Sequence, residues 1–180
     1  EEKQEYIIKP GDTLDAISKK FKTTIELIQK SNNIKGSIIR PNDKLRIFSA
    51  ELLIEVSKSR NDLVLYVNGR FFKRYQVGTG KYGTTPVGTF QIKDKIVDPP
   101  WWNEGHLIPF GTKENVLGTR WLSIVATGDT PQVSGYGIHG TWENDTIGHQ
   151  SSAGCVRLVN SNVEELFMLV PIVTKVVINE

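Results

Sequence analysis

Two rhythms of apolar and polar residues divide the chain near residue 50. In the first stretch, Glu5-Tyr6-Ile7-Ile8-Lys9 predicts a short strand, stopped by Pro10-Gly11. Leu14, Ile17 and Phe21 then recur at helical spacing on one face, with Asp12 or Thr13 as the cap. Thr24 caps a second predicted helix that turns Leu27 and Ile28 inward and stops at Asn32-Asn33. After a turn at Pro41-Asn42, Lys44 to Phe48 closes the unit as a strand. The order is strand, helix, helix, strand, and so small a unit has a thin core.

From residue 52 the period shortens. Leu53 to Val56 predicts a strand, and Leu63 to Val67 and Phe71 to Val77 flank Asn68-Gly69 as a hairpin, because both turn residues tolerate positive φ. Gly88 to Ile92, Leu122 to Val125 and Gly135 to Ile138 are further strands, the last delivering His139 at its end. One late helix is predicted, capped by Ser161 with Glu164 as capping-box partner and Val163, Leu166, Phe167 and Val170 as its apolar face. Val173 to Ile178 closes this part as a strand. Residues 93–121, rich in Pro, Gly, Trp and charge, read as a long surface excursion of the kind that shapes sites. The Trp101-Trp102 pair within it is either part of a lid or a rigid packing plug behind Pro99-Pro100. The fold class expected is mainly β with a late helix, plus a small α+β domain, with boundaries at 1–49 and 52–180.

Composition narrows the function classes. With 22 Lys and Arg against 20 Asp and Glu, the net charge is only +2, and no basic run supplies a nucleic-acid face. No stretch is long and apolar enough for a transmembrane helix. Glu1-Glu2-Lys3 opens without a methionine, so either a leader has been removed or the sequence is a trimmed piece. The single cysteine, Cys155, permits no internal disulfide and is a small core residue, an intermolecular bridge or a reactive thiol.

Its neighbours favour the thiol. The stretch Tyr136-Gly137-Ile138-His139-Gly140-Thr141-Trp142 precedes Ser151-Ser152-Ala153-Gly154-Cys155-Val156-Arg157. An imidazole takes a thiol proton and turns a weak nucleophile into a strong one, and a returning loop can bring His139 to Cys155. Glycines at 140 and 154 allow close approach of a substrate chain, and backbone N–H groups at Gly154 and Cys155 suit an oxyanion. Arg157 offers a fork of donors to a carboxylate or carbonyl, or clamps the loop. His139, His149 and Cys155 also hold the right atoms for zinc, but no HExxH motif supports that, and no metal or other cofactor is assigned. His106 reads as a loop residue, His149 as a loop residue or a second base, and Tyr136 and Trp142 either line the cleft or pack beside it.

Two resemblances sharpen these readings. Tyr6-Ile7-Ile8-Lys9-Pro10-Gly11-Asp12-Thr13-Leu14, with Ile17, Phe21, Leu27 and Asn32, resembles a LysM module. That implies binding to N-acetylglucosamine-containing glycan, with Gly11, Asp12, Thr13 and Leu14, and the segment Asn33 to Lys35, at the groove. His139-Gly140 and Ser152-Ala153-Gly154-Cys155-Val156-Arg157 resemble the catalytic motif of the L,D-transpeptidases, the YkuD-like family. Gly83-Thr84-Thr85-Pro86-Val87-Gly88-Thr89-Phe90 is similar to that family's TPxGxF segment. Many members carry His where Ala153 stands. The resemblance implies a β-sandwich enzyme in which Cys155 is acylated by a peptidoglycan stem peptide, His139 is the base and the Gly140 carbonyl orients it. It also implies that Ser152 is a local hydrogen-bonding residue, that carbapenems acylate the cysteine and that the protein is exported to the periplasm or wall. An L,D-carboxypeptidase and a non-catalytic wall binder are the alternatives.

Overall fold

The computed structural model describes residues 3–180; Glu1 and Glu2, on which the reading of a removed leader rests, lie outside them. The chain divides into two compact units, residues up to Glu51 with Met168–Pro171, and Leu52–Phe167 with Ile172–Glu180.

The small unit follows the expected order: β1 (Lys3–Ile7), α1 (Leu14–Lys20), α2 (Ile25–Asn32) and β2 (Lys44–Phe48). β1 and β2 pair antiparallel, Lys3 with Phe48 through Ile7 with Lys44. The first strand ends earlier than the sequence pattern suggests, because Asp12 turns back and accepts the Lys9 N–H at 2.8 Å, closing the turn there. Thr13 and Thr24 cap the two helices by accepting the N–H groups of Ala16 and Leu27, each at 3.1 Å. Asn33 ends α2 in the left-handed conformation with φ 55. Ile8, Leu14, Ile17, Ile28, Leu45 and Ile47 form the core, with Tyr6 and Phe21 packed on it.

The large unit is mainly β. Its strands are β3 (Leu52–Ser57), β4 (Asp62–Val67), β5 (Arg70–Gln76), β6 (Thr79–Gly80), β7 (Gly88–Val97), β8 (Trp101–Asn103), β9 (His106–Ile108), β10 (Arg120–Ala126), β11 (Gly137–Thr141), β12 (Gln150–Ser152), β13 (Val156–Val159) and β14 (Lys175–Asn179), with α3 (Asn160–Leu169) before the last. Eight of them form one sheet in the order β13-β11-β10-β7-β14-β3-β4-β5. Asn68 and Gly69 take φ of 51 and 75, so the hairpin between β4 and β5 is of the kind the Asn-Gly pair favours. The sheet curls until its two edges meet. Gly78, just past β5, exchanges backbone hydrogen bonds of 2.8 Å in both directions with Arg157 of β13. Enclosed side chains include Ile54, Leu65, Phe90, Leu122, Ile138, Leu158 and Leu166, all fully buried.

Three expectations change here. β7 runs on to Val97, beyond the predicted Ile92, because its outer half pairs with β10 while exposing Lys93 and Asp94 to water. The 93–121 excursion therefore begins as a strand, and it folds a hairpin of β8 and β9 with Trp102 opposite Leu107. α3 begins at Asn160 rather than being capped at Ser161, and Glu164 binds the Thr119 hydroxyl at 2.7 Å instead of closing a capping box. Among the described residues, no helix is long and apolar enough to cross a membrane.

Candidate active site

β11 carries His139 in its middle, not at its end, because the strand runs on to Thr141 rather than stopping at Ile138. β11 lies antiparallel to β10 and parallel to β13. In the parallel ladder Ile138 faces Val156 and His139 faces Arg157, while Cys155 leads directly into β13. The topology thus places His139 on β11 and Cys155 immediately before the neighbouring strand β13.

His139 is buried, with 3% of its surface exposed. Its Nδ1 lies 2.5 Å from the carbonyl oxygen of Gly140. A carbonyl only accepts, so Nδ1 carries the proton and Nε2 keeps its lone pair. Burial holds the imidazole pKa down to about 4; the Gly140 carbonyl opposes this, the Arg157 guanidinium adds to it, and the Leu117 carbonyl opposes it again. His139 is therefore neutral near pH 7. Trp121 pairs with it across the strands, its ring 5.8 Å away and tilted by 30°. Gly137 makes room for that indole, since a β-carbon there would fall 2.7 Å from its edge.

Cys155 is partly exposed, and its sulfur lies 3.7 Å from the carbonyl oxygen of Gly135. Desolvation pushes the thiol pKa up, against a backbone hydrogen bond from Gly137 and the positive charge of Arg157. The resting pair is thus neutral thiol and neutral imidazole.

The loop before the cysteine is fastened peptide by peptide. Ser152 Oγ donates to the Cys155 carbonyl at 2.7 Å and accepts the Gly154 N–H at 3.2 Å. The second bond engages the Gly154 N–H within the loop. Thr85, 2% exposed, accepts the Gly80 N–H at 2.7 Å and donates to the Gly154 carbonyl at 2.9 Å. Gly154 adopts φ +140, and a β-carbon on it would fall 2.4 Å from the Tyr136 ring, so that ring packs against the cysteine loop. Trp142 is 53% exposed and stands 6.2 Å from the Phe110 ring.

Arg157 is 8% exposed. One Nη donates to the Ser151 hydroxyl, the other lies 3.8 Å from a Glu143 carboxylate oxygen, and Nε has no partner among the described residues. His149 gives its carbonyl to the Thr79 N–H at 3.1 Å, and both it and His106 are exposed. Among the described residues, no three His, Cys, Asp or Glu side chains converge on a metal position.

Sequence reasoning passed over Thr85, Trp121 and Asn160 as site residues. Asn160 Oδ1 accepts the Thr119 N–H at 3.1 Å and fills the space over Gly140 that a side chain there would need. Thr85 had a signal, its place in the Thr84-Thr85-Pro86 segment; the other two had none.

In the small unit, Gly11 is open with φ +85 and Thr13 is exposed. Asp12 is committed internally to Lys9 N–H and, at 2.7 Å, to the Tyr6 hydroxyl. Leu14 is 3% exposed and lies in the core, so its side chain is not on a groove surface, contrary to expectation. A cavity of about 320 Å³ instead opens between Ile8, Asn32, Ile34, Ile38, Asp43 and Lys44.

These arrangements can be set beside known proteins. Residues 51–178 match the family described as the YkuD L,D-transpeptidase catalytic domain, and residues 6–48 match the LysM domain. A putative L,D-transpeptidase YkuD of Bacillus subtilis is 33% identical over 97% of this chain and 98% of its own. A second Bacillus subtilis protein, putative L,D-transpeptidase YqjB, is 34% identical over 69% of each chain. A solved LD transpeptidase in complex with imipenem shares the fold, with a TM-score of 0.55 and 18% identity over 79% of this chain. This chain covers 65% of that structure's length. Sequence match, near-full-length relatives and fold agree: the chain belongs to the YkuD family of L,D-transpeptidases and carries a LysM domain before the catalytic one.

Proposed function

We propose that this protein is exported and remodels peptidoglycan, using Cys155 to transfer stem-peptide acyl groups. The observation that carries the reading is the buried, neutral His139 with Nδ1–H tied to the Gly140 carbonyl, on the strand beside Cys155. A neutral imidazole is a base, and its unprotonated Nε2 is the atom to take the thiol proton. Because neither partner is charged at rest, the proton moves as the sulfur attacks rather than beforehand.

The sulfur adds to the carbonyl of the third stem residue, and the oxyanion is received by the Cys155 N–H. The carbon–nitrogen bond breaks, His139 gives its proton to the leaving amine, and a terminal D-amino acid departs, leaving a thioester. An amine of a neighbouring stem attacks the thioester, loses its proton to His139, and forms a 3-3 crosslink while the thiol is restored. Arg157, with an unpartnered buried Nε, positions substrate or stiffens the loop. Membership of the family, with a fold shared by the imipenem-bound relative, supports carbapenems as acylating inhibitors here.

The LysM domain would hold the enzyme on glycan strands and raise the local concentration of stem peptides without touching chemistry. Binding is assigned to the Gly11–Thr13 turn and the segment after α2.

The test is product analysis. Incubation with tetrapeptide-stem muropeptides should yield dimers by mass spectrometry; shortened monomers alone would identify a carboxypeptidase. A carbapenem should add one inhibitor mass, and C155A should carry none. An adduct persisting in C155A would exclude this nucleophile.

A further inference from the structure

We propose that Thr85 is a positioning residue for the oxyanion donor of Cys155. The inference rests on the reading of Cys155 as the nucleophile. Its starting point is peptide geometry. In a trans peptide the C=O and the following N–H lie in one plane and point in opposite directions. The Gly154 carbonyl and the Cys155 N–H belong to one such peptide. Whatever fixes the carbonyl therefore aims the N–H.

Thr85 fixes it. Its hydroxyl is buried at 2% exposure and reaches across from a segment distant in sequence to donate to the Gly154 carbonyl at 2.9 Å. The hydroxyl cannot swing away, because it also accepts the Gly80 N–H at 2.7 Å. Gly80 is itself docked on the cysteine loop. It pairs with Ser152 in the short parallel sheet of β6 and β12, and a β-carbon on it would fall 2.8 Å from the Gly154 α-carbon. Ser152 holds the peptide groups on either side, through the Gly154 N–H and the Cys155 carbonyl. Of the groups around this turn, the Cys155 N–H is the one these hydroxyls leave to a ligand. A hydrogen bond to the carbonyl also polarises the peptide and makes its N–H a stronger donor. Thr85 thus sets both direction and strength of a donor that matters only when negative charge develops on a substrate oxygen.

The test separates two reactions of one sulfur. In acylation by a carbapenem, sulfur adds to the lactam carbonyl, the carbon–nitrogen bond breaks and the ring nitrogen takes the proton; an oxyanion forms on the way. In alkylation by iodoacetamide, sulfur displaces iodide at carbon and no oxyanion forms. T85V keeps the shape and removes the hydroxyl; T85S keeps both hydrogen bonds. The expected result for T85V is acylation slowed about tenfold or more, within the range for a weakened oxyanion donor. Alkylation should change by less than about twofold, and T85S should acylate as the parent does. Equal slowing of both reactions, or no slowing of acylation, would overturn the proposal. If T85V does not fold, T85A is read by the same ratio of rates, and an unchanged ratio overturns it. Failure of the unaltered protein to form a carbapenem adduct at Cys155 would instead sink the underlying assignment of the nucleophile.

Discussion

His139 and Arg157 face each other directly in the parallel ladder of β11 and β13, so a permanent cation lies beside a base that must stay neutral to work. Burial and that cation both disfavour imidazolium. The acidic limb of the acylation rate should therefore fall near pH 4, not near the ordinary histidine value. The alkaline limb should lie above the ordinary thiol range, since Cys155 is shifted upward. Carbapenem acylation followed by mass against pH checks both. Strong ultraviolet thiolate absorbance at pH 7 would contradict the neutral resting pair.

The same shift predicts an acid sensitivity of the fold. The unfolded chain binds a proton on this histidine near pH 6.5 and the folded one only near pH 4. Between those values the unfolded state binds more protons, so stability falls as pH drops from 6.5 to 4. The full loss from this group is at most about 3 kcal/mol. Denaturant titration of the parent and of H139Q should show a shallower pH dependence in the variant. Identical slopes would refute the assignment. H139Q should also slow acylation by roughly a hundredfold or more, as expected for a lost general base.

Ser152 holds two peptide groups with one hydroxyl. S152A should lower stability by about 1–2 kcal/mol, the worth of two ordinary hydrogen bonds. It should also broaden the backbone signals of residues 153–155 in NMR spectra. Wild-type line widths there would argue against a loop held by this hydroxyl.

Gly80 has no room for a side chain. A β-carbon would lie 2.7 Å from the Thr85 nitrogen and 2.8 Å from the Gly154 α-carbon, both backbone atoms that do not swing away. G80A should cost about 2 kcal/mol or more and abolish acylation. A stable, active G80A would show that the two segments part readily.

In the LysM domain, Ile38 is 83% exposed at the rim of the cavity after α2. I38D should weaken retention of the whole protein on purified peptidoglycan by about tenfold, the equivalent of 1.4 kcal/mol, without lowering its melting temperature. Unchanged retention would move the glycan site away from this cavity.

What could be read from the sequence follows a physical line. The LysM elements were legible because periodicity, caps and turns agree over a short span, from Thr13 and Thr24 to Asn33. Cys155 and His139 were legible because nucleophile and base announce themselves by residue type. β7 was cut short because Lys93 and Asp94 sit on its solvent side, where charge hides a strand. Leu14 lies in the core although it belongs to the turn segment, because a turn motif marks where a chain bends, not which side chains it exposes. Thr85 could not be found by pattern: a single hydroxyl meeting a carbonyl 69 residues away leaves no local period. Asn160 was hidden likewise, its amide serving Thr119 rather than its own helix.

The seam between Gly78 and Arg157 has a consequence for the order in which the molecule comes together. Closing it joins the two edges of the sheet and requires a long stretch of chain to be in place first, a step delayed by loop entropy. Arg157 is two residues from the sulfur and faces the imidazole. Chemical competence of the thiol is therefore tied to a late event in folding. A chain that has collapsed without sealing this seam carries a cysteine but not yet an enzyme, and acylation of Cys155 becomes a readout of chains that have finished folding.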